Sequence, residues 1–283
     1  MNFTGSDPSA ETADDPSLLK PFIDDTVFGF GYGDTEAGER LIDGQWATTT
    51  NYVSTTMNGD ATMFGLNFAD GRIKGYGLEL RGTDKMFYVQ CVRGNENYGV
   101  NNFVDNGDMT ITDSATNLMW HKNDNAVATN WQSAINYCEN STLAGYDDWK
   151  LPDAKELQSI VDYSRSPDTT ASASINALFN TTAITNEAGV SDFGFYWSST
   201  THKSSNGTGG SAIYVSFGRS LGYMDGSWMD VHGAGAQRSD PKDISLLDTS
   251  SEDYITVDGA ITHGPQGDVI RGLNFSRCVR EIN

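Results

Sequence analysis

Histidine, cysteine and aspartate carry most of this chain's capacity for chemistry, and their spacing limits what that chemistry can be. His121, His202, His232 and His263 share no metal-ligand spacing of the His-x-x-x-His kind, and no serine sits in a nucleophile-elbow motif. A Ser-His-Asp triad would have to be assembled from distant parts, so no catalytic residue is assigned. Asp225, Asp230, Asp240 and Asp243 could furnish oxygen ligands for calcium. Asp105-Asn-Gly-Asp108 opens like a calcium loop but lacks the later acidic ligands and closing Glu of an EF-hand, and reads as an Asx or type I′ turn. No cofactor is expected beyond calcium at those aspartates.

Recognition chemistry is richer. The stretch from Tyr223 to Asp240 combines Trp228, His232, Gln237 and Arg238, which can stack on a sugar ring or hydrogen-bond its hydroxyls, with glycines that allow close backbone approach. With Tyr214, Arg219 and Tyr223 they form the candidate ligand-binding set. A second reading stays open: Trp228 and Met229 form the loop's own small core, and Arg238 pairs with a nearby aspartate.

The elements that must position these residues are short. With 30 Gly, 12 Tyr and 6 Trp in 283 residues, the composition suits a loop-rich fold whose strands are joined by tight turns. The formal charge of −20 argues against a phosphate-backbone binder, so nucleic acid is not an expected partner. No run approaches a membrane span, and the start lacks the basic head and apolar core of an export signal.

Asn130 is placed to cap a helix from Trp131 to Glu139, with Trp131, Ala134, Ile135 and Cys138 on one face. Asp153 and Glu156 form a capping box for a second helix, read from Ala154 to Tyr163. Hairpins are expected at Ala69-Asp-Gly71 and Asn106-Gly107. Met1 to about Lys20 reads as a loose start, and Asp225 to Arg271 as a long loop.

The chain also repeats itself. Met86-Phe-Tyr-Val-Gln-Cys-Val-Arg93 returns as Asn274-Phe-Ser-Arg-Cys-Val-Arg280, each reading as a half-buried strand. Gln45-Trp-Ala-Thr-Thr-Thr50 returns as Phe195-Tyr-Trp-Ser-Ser-Thr-Thr201, and residues 63–76 correspond to 212–223. Asn2 to Pro8 resembles Asp162 to Pro167. Two units follow: a partial one, 1–100, without the opening hairpin and helices, and a complete one, 101–283. Whether the first is natively incomplete or a shortened piece stays open.

Thr112-Asp-x-Ala-Thr-Asn-Leu-Met-Trp120, the Trp131 to Cys138 helix, Ala144-Gly-Tyr-Asp-Asp-Trp-Lys-Leu-Pro152, Tyr196-Trp-Ser-Ser-Thr200 and Arg277-Cys-Val-Arg280 occur in one order over most of residues 101–283. In this they resemble the family of the C-terminal domain of the Legionella collagen-like adhesin (DUF1566). The resemblance implies an α+β, C-type-lectin-like fold with two helices against small antiparallel sheets. It also implies a disulfide between the first helix and the last strand, here Cys138 and Cys278; two buried free thiols are the other reading. Such a bridge would contribute on the order of 4 kcal/mol by loop closure. The partner of Cys91 would lie on the absent first helix, so Cys91 is expected to be an unpaired, buried thiol. A disulfide implies a secreted or cell-surface protein whose upstream region has been trimmed.

The function expected is a non-enzymatic extracellular module that binds glycan or protein through loops of the second unit. One relative suggests glycosaminoglycan, which the acidic charge opposes unless Arg219, Arg238, Lys242 and Arg271 cluster. The alternatives are a ligand-display scaffold of a diversity-generating retroelement and an enzyme of formylglycine-generating type, the latter left only Cys91 to work with.

Overall fold

A computed structural model describes residues 1–8, 15–80 and 82–282. The first half supplies β1 (Gln45–Trp46), β2 (Asn51–Thr56), β3 (Asp60–Asn67), β4 (Arg72–Gly77), β5 (Glu79–Leu80) and β6 (Thr83–Asp84). The second opens with β7 (Phe103–Asp105), β8 (Thr110–Asp113) and β9 (Leu118–His121), followed by α1 (Trp131–Glu139) and α2 (Ala154–Ser159). Next come β10 (Ala183–Thr185), β11 (Ser191–Phe193), β12 (Phe195–His202), β13 (Ser211–Ser216), β14 (Leu221–Met224), β15 (Ser227–Asp230) and β16 (Gln237–Pro241). The chain closes with β17 (Tyr254–Val257), β18 (Ala260–His263), β19 (Asp268–Val269) and β20 (Val279–Glu281). Two helices among small antiparallel sheets make this an α+β fold.

Local chemistry explains the helices. The Asn130 side chain accepts from Ser133 N at 2.9 Å, and Asp153 and Glu156 complete the reciprocal capping box of α2. That second helix ends at Ser159, four residues short of the expected Tyr163. Ile160 leaves helical geometry, and Val161 pairs with Ile175 in an antiparallel bridge. The expected long loop is also corrected: residues 225–271 carry β15 to β19, most of them in a five-stranded sheet ordered β15-β14-β19-β18-β17.

A seven-stranded sheet, β1-β3-β4-β16-β13-β12 with β2 also on β3, runs through both halves. Its order is a palindrome about the β4–β16 contact, where Ile73 faces Gln237. The hydrogen bonds repeat accordingly. Thr48 Oγ1 donates to Phe64 O at 2.6 Å as Ser198 Oγ donates to Ile213 O at 2.9 Å. Asn2 N donates to Phe22 O at 2.8 Å as Asp162 N does to Ser174 O at 2.9 Å. Leu66 pairs with Ile73 as Val215 pairs with Gln237, so β16, not β14, is the counterpart of β4. The similarity of residues 212–223 to 63–76 breaks after Phe217, because residues 218–236 replace the tight turn at Gly71 and carry β14 into another sheet.

Alternating side chains of β12 and β13 feed two cores. Tyr196, Val215 and Phe217 pack with Leu157 and Ile160, whereas Phe195, Trp197 and Tyr214 pack with Ala134, Cys138 and Cys278. The first half has a smaller core of its own around Trp46, while Tyr52 and Phe64 pack against Ala234 and Ala236 of the second half. Its start is pinned where a loose segment was expected. Ser6 N donates to Lys20 O and Asp7 N to Lys203 O, at 2.8 and 2.7 Å, while residues 9–14 of that segment lie outside the described residues.

Candidate binding cleft

β16 runs through the middle of the large sheet, and this decides the fate of four of the seven candidate ligand residues. Tyr214, His232, Gln237 and Arg238 are all buried. Gln237 Nε2 donates to Gly71 O at 3.2 Å. Arg238 Nη2 donates to Asp268 Oδ2 at 2.7 Å, and both Arg238 and Asp268 also meet His232 Nε2. Burial, aided by Arg238, pulls the His232 imidazole down to about 3. Against the burial that would raise it, Arg238 and His232 hold the Asp268 carboxyl well below the usual carboxylate range. The expectation of these four as surface contacts is therefore corrected: Gln237 reaches Gly71 and His232 O accepts from Gly75 N across the halves, Arg238 and Asp268 meet His232 within the second half, and Tyr214 packs in that half's core. Arg238 does pair with an aspartate.

Tyr223, Trp228 and Arg219 keep partial exposure. Tyr223 and Trp228 face each other across β14 and β15, ring centroids 5.0 Å apart, and Trp228 Nε1 donates to Asp258 Oδ2 at 3.2 Å. The four cations named for a polyanion each have their own partner. Arg219 bonds Asp168 at 2.5 Å, Arg238 bonds Asp268, Arg271 bonds Glu187, and Lys242 lies 4.0 Å from the Trp131 ring centroid.

The four aspartates weighed for calcium are not brought together either; among the described residues no group of three or more such ligands forms. Asp230 accepts from Ser220 N, Gly233 N and the Tyr52 hydroxyl at 3.0, 2.8 and 3.0 Å, and burial pushes its carboxyl up to about 7. Asp240 Oδ2 accepts from Arg271 N at 2.8 Å, and Asp243 caps a short 3-10 turn. Asp225 occupies a left-handed turn position, φ 51°. Asp105 accepts from Gly107 N at 3.0 Å in an Asx turn and pairs with Lys122.

An open cleft of about 410 Å³ lies beside this polar seam. β4 contributes Lys74 and Tyr76, the first half adds Gln45 and Phe87, and the second half adds His232 and Gln266. Gly75 lets the halves close up, because its N–H donates to His232 O at 2.7 Å and a Cβ there would come within 2.7 Å of the same oxygen. Lys74 Nζ stands 3.8 Å from Asp70 and 5.8 Å from the Tyr76 ring centroid, and burial brings its ammonium down to about 8. Across the loop at Pro265, a second hollow of about 330 Å³ is lined by Tyr223, Asp225, Ile255 and His263. Both hollows offer aromatic faces beside polar groups, a combination suited to stacking and hydrogen bonding.

Lys74, Tyr76 and Gln266 were absent from the candidate set. They come from β4 and from a turn between β18 and β19, and only the pairing across the halves brings them together.

Cys138 and Cys278, separated by 140 residues in sequence, are joined in a disulfide that ties α1 to the end of the chain. Cys91 is free and, contrary to expectation, exposed, because none of the described residues covers its segment. A two-helix α+β domain locked in this way belongs to the disulfide-stapled class that oxidising compartments sustain. Residues 109–232 match the family model described as the Lcl C-terminal domain, the family that the motifs of this stretch resemble. The match runs from β8 to the edge of the seam. No curated protein and no solved structure matches the chain.

Proposed function

We propose that this chain is a non-enzymatic binding module exposed outside the cell, and that it takes glycan in the cleft between its halves. The observation that carries the reading is the convergence of Lys74, Tyr76, Gln45 and Gln266 on one open hollow. An ammonium, two amides and an aromatic ring there can answer sugar hydroxyls and a sugar face together. The adhesin-associated domain and the bridge between Cys138 and Cys278 support the extracellular setting. The second hollow, with Tyr223 at its wall, extends the surface along the Pro265 loop.

A glycan array probed with the whole chain, with and without EDTA, tests this. Binding that Tyr76→Ala and Lys74→Gln each weaken at least tenfold, while Trp228→Ala alters it less, is the expected result. No bound glycan in either condition sinks the reading, and binding indifferent to EDTA removes calcium from it.

A further inference from the structure

One row of residues crosses the large sheet through both halves. Leu66 of β3 pairs with Ile73 of β4, Ile73 with Gln237 of β16, and Gln237 with Val215 of β13. Residues paired in this way share a face of the sheet. It is the face opposite Lys74, because successive strand residues point to opposite sides. α2 covers the row at one end only. Val215 packs in one core with Leu157, whereas Leu66, Ile73 and Gln237 line a groove of about 950 Å³ whose other wall includes Ala154 and Gln158 of α2.

This groove differs in character from the cleft at Lys74. The rings of Phe3, Tyr98 and Tyr163 line it beside the aliphatic members of the row. Although the chain carries 38 acidic residues, no carboxylate stands in its walls among the described residues, where Lys155 is the one charged side chain. Two amide oxygens interrupt the apolar lining. Gln237 is fully buried, and its Nε2 donates to Gly71 O at 3.2 Å. Gln158 Nε2 donates to the Tyr163 hydroxyl at 2.6 Å and to Gly235 O at 3.2 Å. Both amides are thus held by their nitrogens, and neither Oε1 has a hydrogen-bond partner. A buried acceptor left unmatched is costly, so a molecule filling the groove is favoured when it brings a donor and penalised when it brings only hydrocarbon.

We propose that this groove is a binding site distinct from the cleft at Lys74, and that it takes a neutral aromatic molecule carrying an N–H or hydroxyl donor, of the indole or phenol type. The flat body would lie on Leu66 and Ile73 among the three rings, where aromatic pairing adds to burial. Its donor would bond Gln158 Oε1 or Gln237 Oε1. A sugar would leave most of its hydroxyls against hydrocarbon here, and a cationic ligand would find no counter-charge in the described walls. The volume lies at the upper end of the range for small-molecule sites, so a bicyclic body fits.

Calorimetric titration of the whole chain with indole and with N-methylindole, which keeps the rings and lacks the donor, tests this. Indole is expected to bind about tenfold or more tightly than its methylated form, the worth of one hydrogen bond to a buried acceptor. Gln158→Leu and Gln237→Leu should each bring that ratio below about threefold while N-methylindole still binds, a change that glutamines with a purely structural role would not produce. Should Gln237→Leu fail to fold, Gln158→Leu decides. No binding of either probe, equal binding of both by the parent chain, or a ratio unchanged in the folded glutamine variants overturns the proposal.

Discussion

The segments around Cys91 and Cys278 share residues and a docking contact, Tyr88 bonding Gln45 and Ala47 as Phe275 bonds Phe195 and Trp197, yet Cys91 is exposed and Cys278 fully buried. The difference lies in the neighbours. Arg277 is fully buried, with Nη1 donating to His121 O and Lys122 O at 3.0 and 2.6 Å and Nη2 to Asn180 O at 2.7 Å. Its counterpart Gln90 faces solvent. A strand pattern thus specifies which side chains alternate, while the layer laid over it decides whether they become core.

Breaking the lock should have the largest effect. Replacing Cys138 and Cys278 together by alanine releases a loop spanning 140 residues in sequence. By loop-closure reasoning this should cost about 4–5 kcal/mol, read as a lowered urea midpoint of the 283-residue chain. A loss below about 1 kcal/mol would mean that α1 and β9 hold the last strand without the bridge.

Arg277→Gln should follow, at about 3–4 kcal/mol, because it removes a buried cation from three carbonyl acceptors that then lie unsatisfied. Gln90→Arg, the converse change at an exposed position, should lie within about 0.5 kcal/mol. Urea unfolding of the two variants side by side measures the contrast, and equal losses would refute the role given to the covering layer.

Much of this was legible before any coordinates, and what was legible was local. Asn130, Asp153 and Glu156 announce their helices, and Asp70-Gly71 announces the β3–β4 turn, because capping and turn chemistry act over a few residues. The pairing of Cys138 with Cys278 came through family motifs. The partnership of β4 with β16 was hidden, since Gly222-Tyr223 imitates Gly75-Tyr76 more closely than their structural counterparts Ser239-Asp240 do. Burial of His232, Gln237 and Arg238 was hidden for the same reason: polar residues with a long-range partner look like surface residues until the partner, Asp268 or Gly71, is in place. The candidate cleft draws residues from both halves and carries no local signature.

A pH experiment sharpens the comparison at the seam. His202 is buried against the Phe22 ring, 5.1 Å away; its Nδ1 meets Ser239 Oγ at 2.8 Å and Asp7 at 3.5 Å, with Arg72 and Asp70 nearby. Burial lowers it from 6.5 to about 4. Between those values the unfolded chain binds the proton and the folded chain does not, so stability from this group is present near pH 7 and is lost as pH falls through 6.5 toward 4. The loss is up to about 3 kcal/mol. Urea midpoints from pH 7 to 4.5 should fall less steeply in His202→Gln; parallel curves would show that the seam does not titrate there.

Cys91→Ser should change least, and its smallness is informative. A buried free thiol would leave a hydroxyl unsatisfied on replacement and cost about 1–3 kcal/mol. At an exposed position the hydroxyl meets water, and the shift should stay within about 0.5 kcal/mol. One thiol of the native chain should react with a disulfide reagent at the rate of a solvent-accessible cysteine, and the variant should lose that reaction entirely. A large destabilisation with slow native labelling would place Cys91 under cover within these 283 residues, and the contrast between the two cysteine segments would then lie in the bridge alone.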